Sequence, residues 1–224
     1  MRKTLQENGL SLFFGVLFLL ALVGQSVAGW LDLNHLQAAD GTATASYPEY
    51  LGTADFWSDV AENWQSEYLQ FLLFIWVTVY LVQKGSPESK ELGTEGKESD
   101  KDQKVLRYAN ASSPRWAAAG GWRTAVFSRS LVLTMATLFV LSWLAQAIAG
   151  RSAYNGEQLG RLQDPVGFWQ YVGAADFWNR TLQNWQSEFL AVGSMVVFSV
   201  FLRHRGSPES KPVGAPHEST GVSG

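Results

Sequence analysis

Asp55-Phe56-Trp57-Ser58-Asp59-Val60-Ala61-Glu62-Asn63-Trp64-Gln65-Ser66-Glu67-Tyr68-Leu69 leads directly into a long apolar run. Its pattern returns 121 residues later as Asp176-Phe177-Trp178 and Asn184-Trp185-Gln186-Ser187-Glu188-Phe189-Leu190. Aligned at that offset without a gap, residues 25–90 and 146–211 are identical at 25 of 66 positions. Identity is concentrated in the motif: nine of 14 positions match from Ala54 to Glu67, against three of 14 from Leu69 to Val82. Gly85-Ser86-Pro87-Glu88-Ser89-Lys90 recurs unchanged at Gly206 to Lys211. The chain therefore reads as a duplication that retained its motif and its terminal turn while the apolar stretch between them drifted.

Working outward from the motif, four blocks are almost free of charge: Leu10 to Trp30, Trp64 to Val82, Leu131 to Ala149 and Phe189 to Leu202. A membrane-crossing helix needs roughly 20 mostly apolar residues. The first and third blocks meet this; the second and fourth do so by taking in the aromatic end of the motif. Helices of a soluble bundle carry a polar face, and these blocks do not. The expected fold class is all-α, an integral membrane protein with four transmembrane helices at about 10–30, 64–83, 131–149 and 185–204. The segmentation follows: residues 1–90 form a first repeat, 91–128 a charged linker with a basic-aromatic interfacial segment, 129–211 a second repeat, and 212–224 a flexible tail. Arg2 and Lys3 before an apolar core, with Ser26-Val27-Ala28 after it, resemble a cleaved leader. The internal copy at Gln146 to Gly150 argues for a retained helix instead.

Basic residues set the expected orientation. Between Gly29 and Gln83 there is no Lys or Arg but seven acids, from Asp32 to Glu67. The positive-inside rule then places both termini and the central linker in the cytoplasm. Each repeat has an even number of crossings, so the two copies insert the same way up, related by a pseudo-twofold along the membrane normal. In the linker, Arg115, Trp116, Trp122, Arg123, Phe127 and Arg129 suit a segment at an anionic membrane surface.

The polar residues of the motif are the candidates for function. A carboxylate about one helical turn from fully apolar sequence is costly unless paired or near water, which singles out Glu67 and Glu188. Asn63 and Asn184 lie one turn earlier on the same face. Gln25 and Gln146 sit at comparable depth on the preceding helices. Two clusters are expected near the outer leaflet: Gln25, Asn63 and Glu67 in one half, Gln146, Asn184 and Glu188 in the other. Trp57, Trp64, Trp178 and Trp185 read as interface anchors. Gly85 with Pro87, and Gly206 with Pro208, read as helix stops.

The run from Asn63 to Gln70, followed by a helix and then Lys84 to Lys90, resembles a family of uncharacterised bacterial integral membrane proteins, filed as a domain of unknown function. The resemblance covers both halves. It implies a multi-pass protein of a bacterial inner (cytoplasmic) membrane and carries no activity or cofactor.

The residues themselves give catalysis little support. The chain has no cysteine, and no nucleophilic triad, metal-ligand spacing or glycine-rich phosphate loop stands out. His35, His204 and His217 are isolated along the chain. No metal and no cofactor are expected, and a net charge of -3 gives no reason for nucleic-acid binding. The expected role is a non-enzymatic structural or interaction component whose partners are the lipid bilayer and either another membrane protein or a second copy of the chain. The alternative is a channel or small-solute transporter using the paired Glu/Asn/Gln clusters.

Overall fold

The computed structural model describes residues 6–224; Arg2 and Lys3, part of the basic flank expected before the first helix, lie outside the described residues. Among the described residues the protein is all-α, with no strand. The helices are α1 (Gly9–Ala39), α2 (Tyr47–Leu51), α3 (Ala54–Val77), α4 (Arg115–Ala118), α5 (Gly121–Phe127), α6 (Ser130–Gly160), α7 (Phe168–Val172) and α8 (Ala175–Phe201), with a 3-10 turn at Leu106–Tyr108. The first residues of α1 and α6, of α2 and α7, and of α3 and α8 are each 121 positions apart (130 − 9, 168 − 47, 175 − 54).

Among the described residues two helices, α1 and α6, are long and apolar enough to cross a membrane. Each has 31 residues, about 46 Å at 1.5 Å per residue, so each outruns the roughly 30 Å of a hydrocarbon core. Both continue past the apolar blocks read in the sequence, which end at Trp30 and Ala149. The reason is local. Leu31 to Ala39 is polar but rich in good helix formers, and no Gly or Pro intervenes before Gly41. Composition changes at Trp30; the breaker comes eleven residues later. Residues 31–54, which lie between the first two helices expected from the sequence, are therefore mostly helical.

α3 departs from expectation in the other direction. It ends at Val77, eight residues before the expected stop at Gly85. There the Thr78 hydroxyl donates to the carbonyls of Phe74 (2.6 Å) and Ile75 (3.3 Å), a competing bond of the kind that loosens helix geometry. Val79 is β-branched as well, and its carbonyl accepts from the amide of Gly96 at 2.7 Å. α8, by contrast, runs to Phe201, five residues before Gly206.

The chain divides into two compact units, Met1–Val60 with Ala145–Tyr171, and Ala61–Leu144 with Val172–Gly224. In the first, Tyr50, Phe56 and Val60 are buried and packed by Leu22, Trp30, Leu33 and Leu51. α2 starts at a capping box: Ser46 N–H and hydroxyl both donate to the Glu49 carboxylate at 2.7 Å. One asparagine on each long helix clamps the returning chain. Asn34 accepts from the Ala45 amide (2.8 Å) and donates to the Ala45 carbonyl (3.0 Å). Asn155 treats Val166 in the same way, at 2.8 and 3.1 Å. Tyr50 then reaches Gly29, and Tyr171 reaches Gly150, so closely that a Cβ on either glycine would overlap the phenol oxygen.

The second unit has an aromatic centre. Trp143 of α6 stacks on Phe139 (5.5 Å between ring centroids) and on Phe177 of α8 (6.1 Å), and meets the edge of Trp178 at 6.0 Å. Trp116 and Trp122 of the linker meet edge to face at 5.6 Å, with the Arg123 guanidinium 5.7 Å from the Trp122 ring.

Candidate functional site

The polar side chains of the second unit gather in two places. The first is the facing pair α3 and α8. Gln65 has 0% of its surface exposed and Ser66 1%. A buried amide needs partners at both ends. Gln65 Oε1 accepts from Trp185 Nε1 at 2.8 Å, while Gln65 Nε2 has no acceptor among the described residues. One turn earlier, Arg180 Nε donates to Glu62 at 2.7 Å. Glu188 lies beside the Ser66 hydroxyl and the Glu67 carboxylate. Glu188 is half-buried and Glu67 exposed, on different helices and within reach of one another's charge.

Of the residues singled out in the sequence, Glu67 and Glu188 are brought together. Asn184 Nδ2 donates to the Arg180 carbonyl of its own helix at 3.0 Å. Asn63 is exposed and its carbonyl accepts from Ser66 at 2.9 Å. Gln25 on α1 is half-buried and Gln146 on α6 is 1% exposed; both belong to the first unit. The tryptophans split. Trp57 and Trp64 are 52% and 39% exposed, and Trp57 Nε1 donates to the Leu51 carbonyl at 2.9 Å. Trp178 packs on Trp143, and Trp185 is the donor to Gln65.

The second place is the repeated turn. Gly85 and Gly206 adopt φ of 88° and 82°, a region that favours glycine because it has no Cβ. Beyond each glycine the same bonds form. The Gln83 and His204 amides donate to Ser89 and Ser210 hydroxyls, both at 2.9 Å. The Glu88 and Glu209 amides donate to Ser86 and Ser207 hydroxyls at 3.3 and 3.2 Å. Each copy ends in a lysine held by backbone. Lys90 Nζ donates to the Gly96 carbonyl at 2.9 Å. Lys211, 1% exposed, donates to the carbonyls of Gly85 (2.5 Å), His217 (2.7 Å), Ser219 (3.2 Å) and Pro216 (3.3 Å). Desolvation pushes its ammonium below the ordinary lysine range. The four residues therefore read as helix stops, Gly85, Pro87, Gly206 and Pro208, belong to a folded turn of its own.

The two turns meet through their acids. The Glu88 carboxyl is hydrogen-bonded to that of Glu209, and this bond, with burial and the second negative charge, raises Glu88 to about 7. Among the described residues no group of three or more His, Asp and Glu is placed to hold a metal ion.

Sequence reading passed over Asn34 and Asn155, Tyr50 and Tyr171, and Gln65. A signal was present for the first two pairs. From Trp30 to Thr53 only four of 24 positions match their copies at the 121-residue offset, and Asn34 and Tyr50 are two of them. Nothing local distinguishes Gln65 from Gln186, which is exposed.

No curated protein and no solved structure matches the chain. The family described as "Domain of unknown function (DUF6766)" matches residues 1–222, and the chain belongs to it.

Proposed function

We propose that the chain is a multi-pass protein of a bacterial cytoplasmic membrane, built from two tandem helical pairs and acting as a non-enzymatic interaction component. The observation that carries this reading is exposure. In the most apolar stretch of α1 only 6% of residues are buried, and in that of α6 17%. The core helix of a soluble protein would bury most of such a surface; lipid or a membrane partner covers it here. α3 and α8 complete the pairs as a third and fourth crossing. Their 24 and 27 residues give about 36 and 40 Å, with the motif at the outer headgroups. The matching helix starts and identical turn bonds support descent from one duplicated pair, set about a pseudo-twofold along the membrane normal. The turn sequences and the 91–128 linker then face the cytoplasm.

The absence of native cysteine makes the test direct. Single cysteines in place of Thr44 and Gln163, both exposed, should react with an impermeant maleimide in intact cells, and one in place of Lys97 only after lysis. Labelling of the Lys97→Cys protein in intact cells, without labelling of the Thr44→Cys protein, would invert the arrangement and end this reading.

A second reading, a channel or small-solute transporter, is favoured by one observation: Glu188 beside Glu67 and the Ser66 hydroxyl. Paired intramembrane acids commonly mark ion or proton paths. Vesicles carrying the parent protein should then pass protons or cations, and Glu67→Gln with Glu188→Gln should slow the flux at least tenfold. Equal flux in both proteins removes this reading.

A further inference from the structure

The second unit contains a groove of about 390 Å³ between α3, the chain that follows it, and α8. That volume is in the range of small-molecule sites. Its walls are Leu73, Val77, Leu81, Phe189, Val192 and Val196, and Gln70 and Glu88 also line it. The Oε1 of Gln70 is buried and has no donor among the described residues.

Glu88 is hydrogen-bonded to Glu209 and raised to about 7 by that bond, by burial and by the negative charge of Glu209. The nearby cations are engaged elsewhere. Lys84 pairs with Glu218 at 3.1 Å, Lys90 with Glu98 at 3.3 Å, and Lys211 is held by four carbonyls. Arg203 donates to the carbonyls of Ser199, Val200, Leu202 and Ala215, and its Nη2 lies 3.4 Å from His217 Nδ1. Among the described residues no Lys or Arg is within ion-pair distance of Glu88 or Glu209, and Glu88 lines the apolar groove.

We propose that this groove binds a single-chain amphiphile headed by a primary ammonium, with the ammonium on Glu88 and Glu209 and the alkyl body along Leu73, Val77, Val192 and Val196. Carboxylates accept the N–H bonds of an ammonium in charge-assisted form, and the apolar walls fit an alkyl chain. An anionic head of the same length meets like charge, and a neutral head gains no charge pairing. The proposal holds whether the chain transports anything or not.

Three eight-carbon probes isolate the head. Octylamine, 1-octanol and octanoate are titrated at pH 7.5 into the full chain in discs of zwitterionic lipid, with empty discs as the blank. Octylamine should bind at least tenfold more tightly than either of the others. Glu88→Gln with Glu209→Gln should bring octylamine to the level of octanol while octanol is unchanged. Val192→Trp, which fills the groove and leaves the acids in place, should weaken both. Equal binding of octylamine and octanol by the parent overturns the proposal. So does an amine preference that survives loss of both acids, or octylamine binding that is indifferent to Val192→Trp.

Discussion

Trp185 donates its indole N–H to Oε1 of Gln65 across 2.8 Å, and Gln65 is completely enclosed. This bond ties the second copy of the motif to the first. Removing the donor while keeping the ring's bulk strips the buried amide of its partner, and an unsatisfied buried group costs about 1–3 kcal/mol. Trp185→Tyr and Trp185→Phe should both lower stability in detergent denaturation by about that amount. Gln65→Leu, which removes the polar group as well, should cost less than Trp185→Phe. The reverse order would show that the bond contributes little.

Tyr50 and Tyr171 are buried, at 4% and 1% exposure, and each places its phenol oxygen against a glycine of a long helix. Neither ring can retreat into solvent. Gly29→Ala and Gly150→Ala should each destabilise the protein by about 1–3 kcal/mol through overpacking. In a Gly29→Ala background, Tyr50→Phe removes the overlapping oxygen and should restore part of the loss. A melting temperature for Gly29→Ala equal to the parent's would contradict the close approach.

Asn34 and Asn155 make the same two bonds, to both backbone groups of Ala45 and Val166. Their replacement by Ala should cost about 1–2 kcal/mol each, with similar losses for the two. Hydrogen exchange should rise at Ala45 in Asn34→Ala and at Val166 in Asn155→Ala, because the amide that donates to the asparagine oxygen is released.

Glu88 is raised to about 7, first by its hydrogen bond to Glu209, then by burial and the adjacent charge. Between its ordinary value of 4.5 and 7 the folded chain holds a proton that the unfolded chain has released. Stability therefore declines as pH rises through that window and levels above it. The melting temperature should fall between pH 4.5 and 7, and Glu209→Gln should flatten that slope. An unchanged slope in Glu209→Gln would mean that other groups set it.

Helical character was legible because it depends on neighbours in sequence. The apolar blocks, the cluster of good helix formers after Trp30 and the positive-φ glycines at 85 and 206 all act over a few residues. Helix ends were less legible. α1 continues into polar sequence because no Gly or Pro breaks it, α6 continues even through Gly150 and Gly156, and α3 stops at Val77 although no Gly or Pro stands there. Composition marks where a helix would leave lipid.

The sequence by itself determined an all-α chain and a motif repeated at a spacing of 121 residues, with an acid at the border of each apolar run. Those properties reside in local propensity and in spacing along the chain. Only tertiary structure decided that Gln65 is enclosed while Gln186 is exposed, that Glu188 lies within reach of the charge of Glu67, and that Glu88 is hydrogen-bonded to Glu209. Identical residues in two copies share every local preference. What separates them is which helix packs against which face, and that is set by contacts more than a hundred residues apart in the chain.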